Sequence, residues 1–204
     1  MFNDVKFIEE VKKLIGSLDV NTVLEVGCYS GELIKDLENI EATGIDIRSK
    51  YKDAIGCNVL DYNPDKKFDI VFSSGVVEHY DKEMRTKLLK KMASLSNKYV
   101  LTIVPHSECE VYKQHMKEIN FVEDCFNEKE VAEMHEGILT DIKTGTMGLN
   151  WAQKFGKTKV PYLVYCLGRV NNGKKEKNID NNDSKTKGKD VSTVSKKSPE
   201  LKDT

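Results

Sequence analysis

The sequence predicts an α/β fold in which a doubly wound, mainly parallel sheet carries helices on both faces. Three observations point to it. Short apolar runs suited to strands alternate with segments of helical periodicity across residues 1–170. The run FDIVFS at 68–73 is almost continuously apolar, as a strand is when both sheet faces are covered. The run TVLEV at 22–26 stops on Gly27 and passes into a glycine-bearing turn, the junction at which open α/β sheets bind ligands.

Each element follows from its own pattern. Val5, Ile8, Val11, Leu14 and Ile15 recur at helical spacing and Gly16 closes the run, which predicts a first helix. Residues 22–26 are β-branched and apolar, a buried strand. Residues 31–37 place Leu33, Ile34 and Leu37 on one side, predicting a helix that opens directly from the glycine turn. Residues 42–47 and 54–60 read as the second and third strands. The connection over 46–54 is too short for an ordinary crossover helix, so one turn or an extended crossover is expected there. After the strand at 68–73, Asp81 caps a helix carrying Met84, Leu88, Leu89, Met92 and Leu95. A strand over 99–104 is halted by Pro105. Asn127 followed by Glu130 has the spacing of a capping box, opening a helix with Val131 and Met134. Residues 138–143 and 162–170 supply the last strands.

Composition bounds the function classes. A chain of 204 residues builds one domain of ordinary size, and 39% apolar residues suffice for a core. No apolar run approaches the roughly 18 residues of a membrane span. The N-terminal MFNDVKFIEEVKKLIG is amphipathic and partly acidic, unlike a signal peptide. Five widely spaced cysteines without a C-x-x-C pair fit a reduced, cytoplasmic protein. From residue 171 the composition changes. Residues 171–204 hold no aromatic residue, with only Ile179, Val191, Val194 and Leu201 large and apolar, and read as a disordered polar tail. Nine lysines against six acids make that tail +3, and the whole chain at -1 leaves -4 for residues 1–170. A phosphate backbone is therefore an unfavourable partner.

The chemistry gathers at strand ends. Gly27 lets backbone approach a ligand closely, and Gly31 is placed to begin a helix whose free N–H groups attract negative charge. Asp46 ends the second strand, where a carboxylate accepts both hydroxyls of a ribose. Asp61 ends the third, placed to meet a base edge. Glu25, Asp46 and Asp61 thus end three strands expected to be neighbours.

The ordered set Glu25-x-Gly27-x-x-x-Gly31, Asp46, Asp61 and FDIVFSSGVVEH at 68–79 resembles a class I S-adenosylmethionine-dependent methyltransferase. Within that superfamily it is similar to the type 11 small-molecule group, and the resemblance spans roughly residues 20–170. It implies a Rossmann-like seven-stranded sheet with an antiparallel last strand, and S-adenosylmethionine as cofactor. It also implies that Gly27, Cys28, Tyr29 and Gly31 lie under the methionyl part and that Asp46 takes the ribose. Asp61 is then expected by the adenine amino group, and Ser73 and Ser74 toward the methionyl end. Glu25 and Ile47 complete the expected cofactor contacts. Tyr29 departs from the pattern by replacing a glycine that many members carry.

An acid–base residue is needed only where the acceptor is protonated at working pH. His106, just beyond Pro105, is the first candidate and His79 the second. His106, Glu108, Cys109, Glu110 and His115 show no familiar ligand spacing, so no metal is expected there and a polar substrate lid is. Trp151 reads as core. A nicotinamide dehydrogenase would want G-x-G-x-x-G, and the sequence from Gly27 fails at both later glycines. Aminopropyl transfer and a catalytically degenerate cofactor-binding subunit remain as alternatives. The segments N-P-P-Y and D-P-P-Y of nucleic-acid amino methylation are absent. The expected acceptor is a small molecule, lipid or glycan precursor; nothing in the pattern addresses oligomeric state.

Overall fold

The computed structural model describes residues 4–121 and 123–171. The polar tail expected over 171–204 lies outside the described residues from 172 onward. Six strands form one sheet: β1 (Thr22–Val26), β2 (Glu41–Ile45), β3 (Phe68–Ser74), β4 (Ser96–Pro105), β5 (Leu139–Met147) and β6 (Leu163–Val170). Their order is β2-β1-β3-β4-β6-β5. β2, β1, β3 and β4 pair in parallel, and β6 runs antiparallel to both its neighbours. The last strand in the chain is thus the one that reverses, as expected.

Side chains alternate across the sheet and define two cores. Ile70, Phe72, Leu101, Ile103 and Leu163 pack with α1 (Val5–Gly16), α3 (Glu110–Glu118) and α5 (Leu149–Phe155). Leu24, Val71, Val100, Val104 and Val164 pack with α2 (Lys82–Leu95) and α4 (Glu128–His135). The sheet is doubly wound. Trp151 is core, stacked on the Tyr162 ring at 4.1 Å between centroids. Predicted caps are in place: Asp81 accepts from Met84 N at 2.9 Å, and both halves of the Asn127–Glu130 box form. Asp4 caps α1 through Phe7 N and pairs with Lys154, tying the first helix to the fifth.

Three predicted elements differ. The third strand over 54–60 shrinks to a single bridge from Ile55 to Ile45, so the sheet has six strands and not seven. The Asn58 side chain accepts from Leu60 N at 3.0 Å and starts a 3-10 turn at Val59–Asp61, a local bond that competes with the ladder. The helix over 31–37 is a single turn, with Ile34 N and Lys35 N both donating to Gly31 O. Asp36 and Asn39 then adopt left-handed φ of 59° and 58°, which ends any continuation. The segment after β4 is not an irregular lid throughout, because Glu110–Glu118 is helical.

Leu89 is 1% exposed at the centre of the α2 face. Leu89→Ala should cost about 2–5 kcal/mol of stability. Chemical denaturation should show a lowered midpoint at unchanged slope; an unchanged midpoint would mean that α2 does not carry this core.

Candidate functional site

The carboxyl ends of β1, β2 and β3 surround a cavity of about 540 Å³. Its position is the crevice of an open α/β sheet, where the chain leaves β1 for β2 on one side and returns for β3 on the other. Glu25, Gly27, Cys28, Tyr29, Asp46 and Ile47 all line it, as does His79. The sequence reading brings these seven together.

The turn after β1 is built around Gly27. Its φ is 77°, and an added Cβ would stand 2.4 Å from Val76 Cγ2, so only glycine fits between β1 and the exit of β3. Gly27 N and Cys28 N both donate to Ile45 O, at 2.8 and 3.2 Å, clamping the turn to the end of β2. The Asp46 carboxylate completes the clamp: Oδ2 accepts from Tyr29 N at 3.0 Å and Oδ1 from Arg48 N at 2.5 Å. Tyr29 sits at a φ of 34°, a conformation that glycine would take without strain. Its carbonyl is held by Lys50 N, Tyr51 N and the Ser49 hydroxyl.

Gly31 has a different role from the one expected. It opens only a single turn, and a Cβ there would meet the Tyr51 ring at 2.6 Å. It makes room for the ring of Tyr51, whose own backbone N–H donates to the Tyr29 carbonyl. Asp61 also moves out of the site: it is exposed at the end of the 3-10 turn, and Cys57, Asn58 and Val59 line the cavity instead. Ser73 and Ser74 are buried in β3 behind the lining, each with an Oγ that has no hydrogen-bond partner among the described residues.

The two histidines separate. His106 is 3% exposed and outside the cavity lining. Its Nδ1 accepts from Glu108 N at 3.1 Å and its Nε2 faces Glu128 at 3.4 Å. His79 meets the cavity, and its Nδ1 lies 3.3 Å from Glu123 Oε2. The sequence offered no signal for Glu123, which stands 44 positions further along the chain.

Buried carboxyls dominate the electrostatics. Burial, followed by the charge of Asp46, pushes Glu25 well above the usual range. Glu78 is 2% exposed and burial raises it to about 8. Burial raises Glu123 to about 7 and lowers the His79 imidazole.

No family model matches the sequence, and no curated protein matches it. Solved structures do match its fold. The chain is similar to a 1,6-didemethyltoxoflavin-N1-methyltransferase from Burkholderia thailandensis, solved with 1,6-didemethyltoxoflavin and S-adenosylhomocysteine. That match has 14% identity, covers 83% of this chain and 80% of that one, and has a TM-score of 0.63. A SAM-dependent methyltransferase from Archaeoglobus fulgidus aligns at 18% identity, 79% and 94% coverage and a TM-score of 0.60. An N-methyltransferase from Bradyrhizobium japonicum WM9 aligns at 14% identity, 83% and 99% coverage and a TM-score of 0.56. The fold is the Rossmann-like fold of these methyltransferases. No helix among the described residues is long and apolar enough to cross a membrane.

The raised Glu25 carboxyl has a signed consequence. The folded chain keeps a proton that the unfolded chain releases above the ordinary value of 4.5, so stability falls as pH rises through that window. Glu25→Gln removes the penalty. It should raise the melting temperature at pH 8 by at least about 2 °C and leave it unchanged near pH 4. Equal melting temperatures at pH 8 would mean that Glu25 is solvated in the folded chain.

Proposed function

We propose that this chain is an enzyme that transfers a methyl group from S-adenosylmethionine to a small-molecule, lipid or glycan-precursor acceptor. One observation carries the reading. Glu25, whose buried Oε2 has no hydrogen-bond partner among the described residues, lines a cavity that also holds Asp46, at the strand ends where this fold takes ligands. When bound, S-adenosylmethionine supplies an electrophilic methyl group on a cationic sulfonium.

The residues present fit that donor. Asp46 offers negative charge, Glu25 a buried carboxyl that gives up its proton when a cation meets it, and both offer acceptor oxygens to a ligand that carries an ammonium, a sulfonium and ribose hydroxyls. Both Asp46 oxygens already take one backbone N–H, and each has a lone pair left for a ribose hydroxyl. Gly27, Cys28 and Tyr29 would lie under the methionyl part, and Ile47 beside the adenosine. Asn58 and Val59 would take the adenine wall that the sequence assigned to Asp61. Gly31, Ser73 and Ser74 would support the wall from behind.

Most of the acceleration asked of such a site is alignment of a nucleophile with the methyl group and exclusion of water, worth up to about 7–11 kcal/mol. His79 is the histidine placed to touch an acceptor, because it lines the cavity. His106 is assigned a positioning role at the end of β4, since both its ring nitrogens are engaged.

Calorimetry with S-adenosylmethionine and, separately, NAD tests the reading. Binding of the first and not the second is expected, and the reverse would overturn it. Asp46→Ala should weaken donor binding by about 1.5–3 kcal/mol with native circular dichroism. An unchanged dissociation constant would remove Asp46 from the site.

On a genuine acceptor, His79→Ala should lower single-turnover rates at least about tenfold with donor affinity retained. His106→Ala should lower them less. The opposite ranking would return the acid–base role to His106.

A further inference from the structure

We propose that Glu78, His79 and Glu123 form a divalent-cation site in the wall between the donor cavity and a second, smaller cavity. A carboxylate oxygen of each glutamate and a ring nitrogen of His79 lie within 4.8 Å of one another. The closest pair, His79 Nδ1 and Glu123 Oε2, is already 3.3 Å apart. Donors bound at about 2.1 Å to one ion stand about 3.0–3.4 Å from each other, so that pair needs no movement and Glu78 a modest one.

An independent observation points to a ligand. Glu78 is 2% exposed, and its Oε2 has no hydrogen-bond partner among the described residues. A buried carboxyl oxygen without a partner is unfavourable, and the group holds its proton until a cation takes the proton's place. The nearby Arg85 guanidinium pairs with Asp124 and donates to the Val77 carbonyl. The Glu123 side chain is only 6% exposed as well, so two shielded carboxylates converge on one imidazole. An ordinary surface acidic cluster has water on every oxygen. This one does not.

The donor set selects the ion. Two carboxylates and one imidazole suit borderline cations such as Mn²⁺, Zn²⁺ or Co²⁺, and are too few in oxygen for Ca²⁺. Three protein ligands leave coordination positions open, as in sites that bind a substrate or water. The location gives those positions a direction. His79 lines the donor cavity, while Glu123 lines a cavity of about 270 Å³ with Tyr112, Lys113, Lys117 and Phe121. The ion would therefore present an oxygen of the acceptor to the donor cavity. That last step rests on the methyl-transfer reading; the cation site does not.

The test is a titration of the full chain with MnCl₂, followed by calorimetry and by electron paramagnetic resonance, with no methyl donor present. One saturable site is expected. Glu123→Gln and Glu78→Gln should each weaken it at least about tenfold, and exposed Glu83→Gln should leave it intact. Should Glu78→Gln fail to fold, Glu123→Gln decides alone. Mn²⁺ should also raise the melting temperature of the parent chain and not that of Glu123→Gln. Absence of saturable binding at millimolar Mn²⁺ and Zn²⁺, or full affinity in Glu123→Gln, would overturn the site. Because the donor is absent, failure here leaves the donor calorimetry untouched, and failure of donor binding leaves this titration untouched.

Discussion

Two backbone hydrogen bonds onto one carbonyl organise the crevice. Gly27 N and Cys28 N converge on Ile45 O, which ties the end of β1 to the end of β2. The bond pair requires a turn with a φ of 77°, and that turn leaves no room for a Cβ under Val76. The exits of three neighbouring strands therefore meet at one glycine. Asp46 is delivered to the same point by the residue that follows Ile45, and its carboxylate closes the turn through Tyr29 N.

Around that clamp the chain keeps acids where a stability-only fold would place apolar groups. Among the described residues, Glu25 and Glu78 are buried with a carboxyl oxygen unpartnered, and Ser73 and Ser74 lie buried with hydroxyls in the same condition. Each is a cost to folding. All four belong to the strand ends and turns that face or back the crevice. The rest of the interior follows ordinary rules. Buried His135, for example, donates Nδ1–H to the Val131 carbonyl and accepts at Nε2 from the Thr102 hydroxyl. Polar groups without partners concentrate where a charged ligand would meet them, a pattern that marks functional sites.

The two cores do separate jobs. The layer of α2 and α4 is aliphatic and holds the parallel strands in register. The layer of α1, α3 and α5 is aromatic, with Phe7, Trp151, Tyr162 and Tyr112 in contact, and it anchors the C-terminal strands against the first helix. His106 belongs to that scaffold, because its backbone N–H is bonded to Tyr162 O. His79 belongs to the crevice.

Much of this was legible from the sequence by itself. Period and composition determine α1, α2, α4 and the strands, because burying an apolar stripe or an apolar run has one economical solution. The strand–glycine turn with an acid ending the next strand locates the cavity at the strand ends, since local sequence sets both the turn and the position of Asp46. The missed elements fail for a shared reason. Asn58, Asp36 and Asn39 prefer local side-chain bonds or left-handed φ, and these overrode apolar patterns of only six or seven residues. Asp61 was displaced from the cavity as a result. The grouping of Glu78 and His79 with Glu123, and the separation of His79 from His106, lay beyond the sequence altogether. They depend on how the segment after β4 folds back beside the turn after β3, a contact between distant residues that no local periodicity encodes.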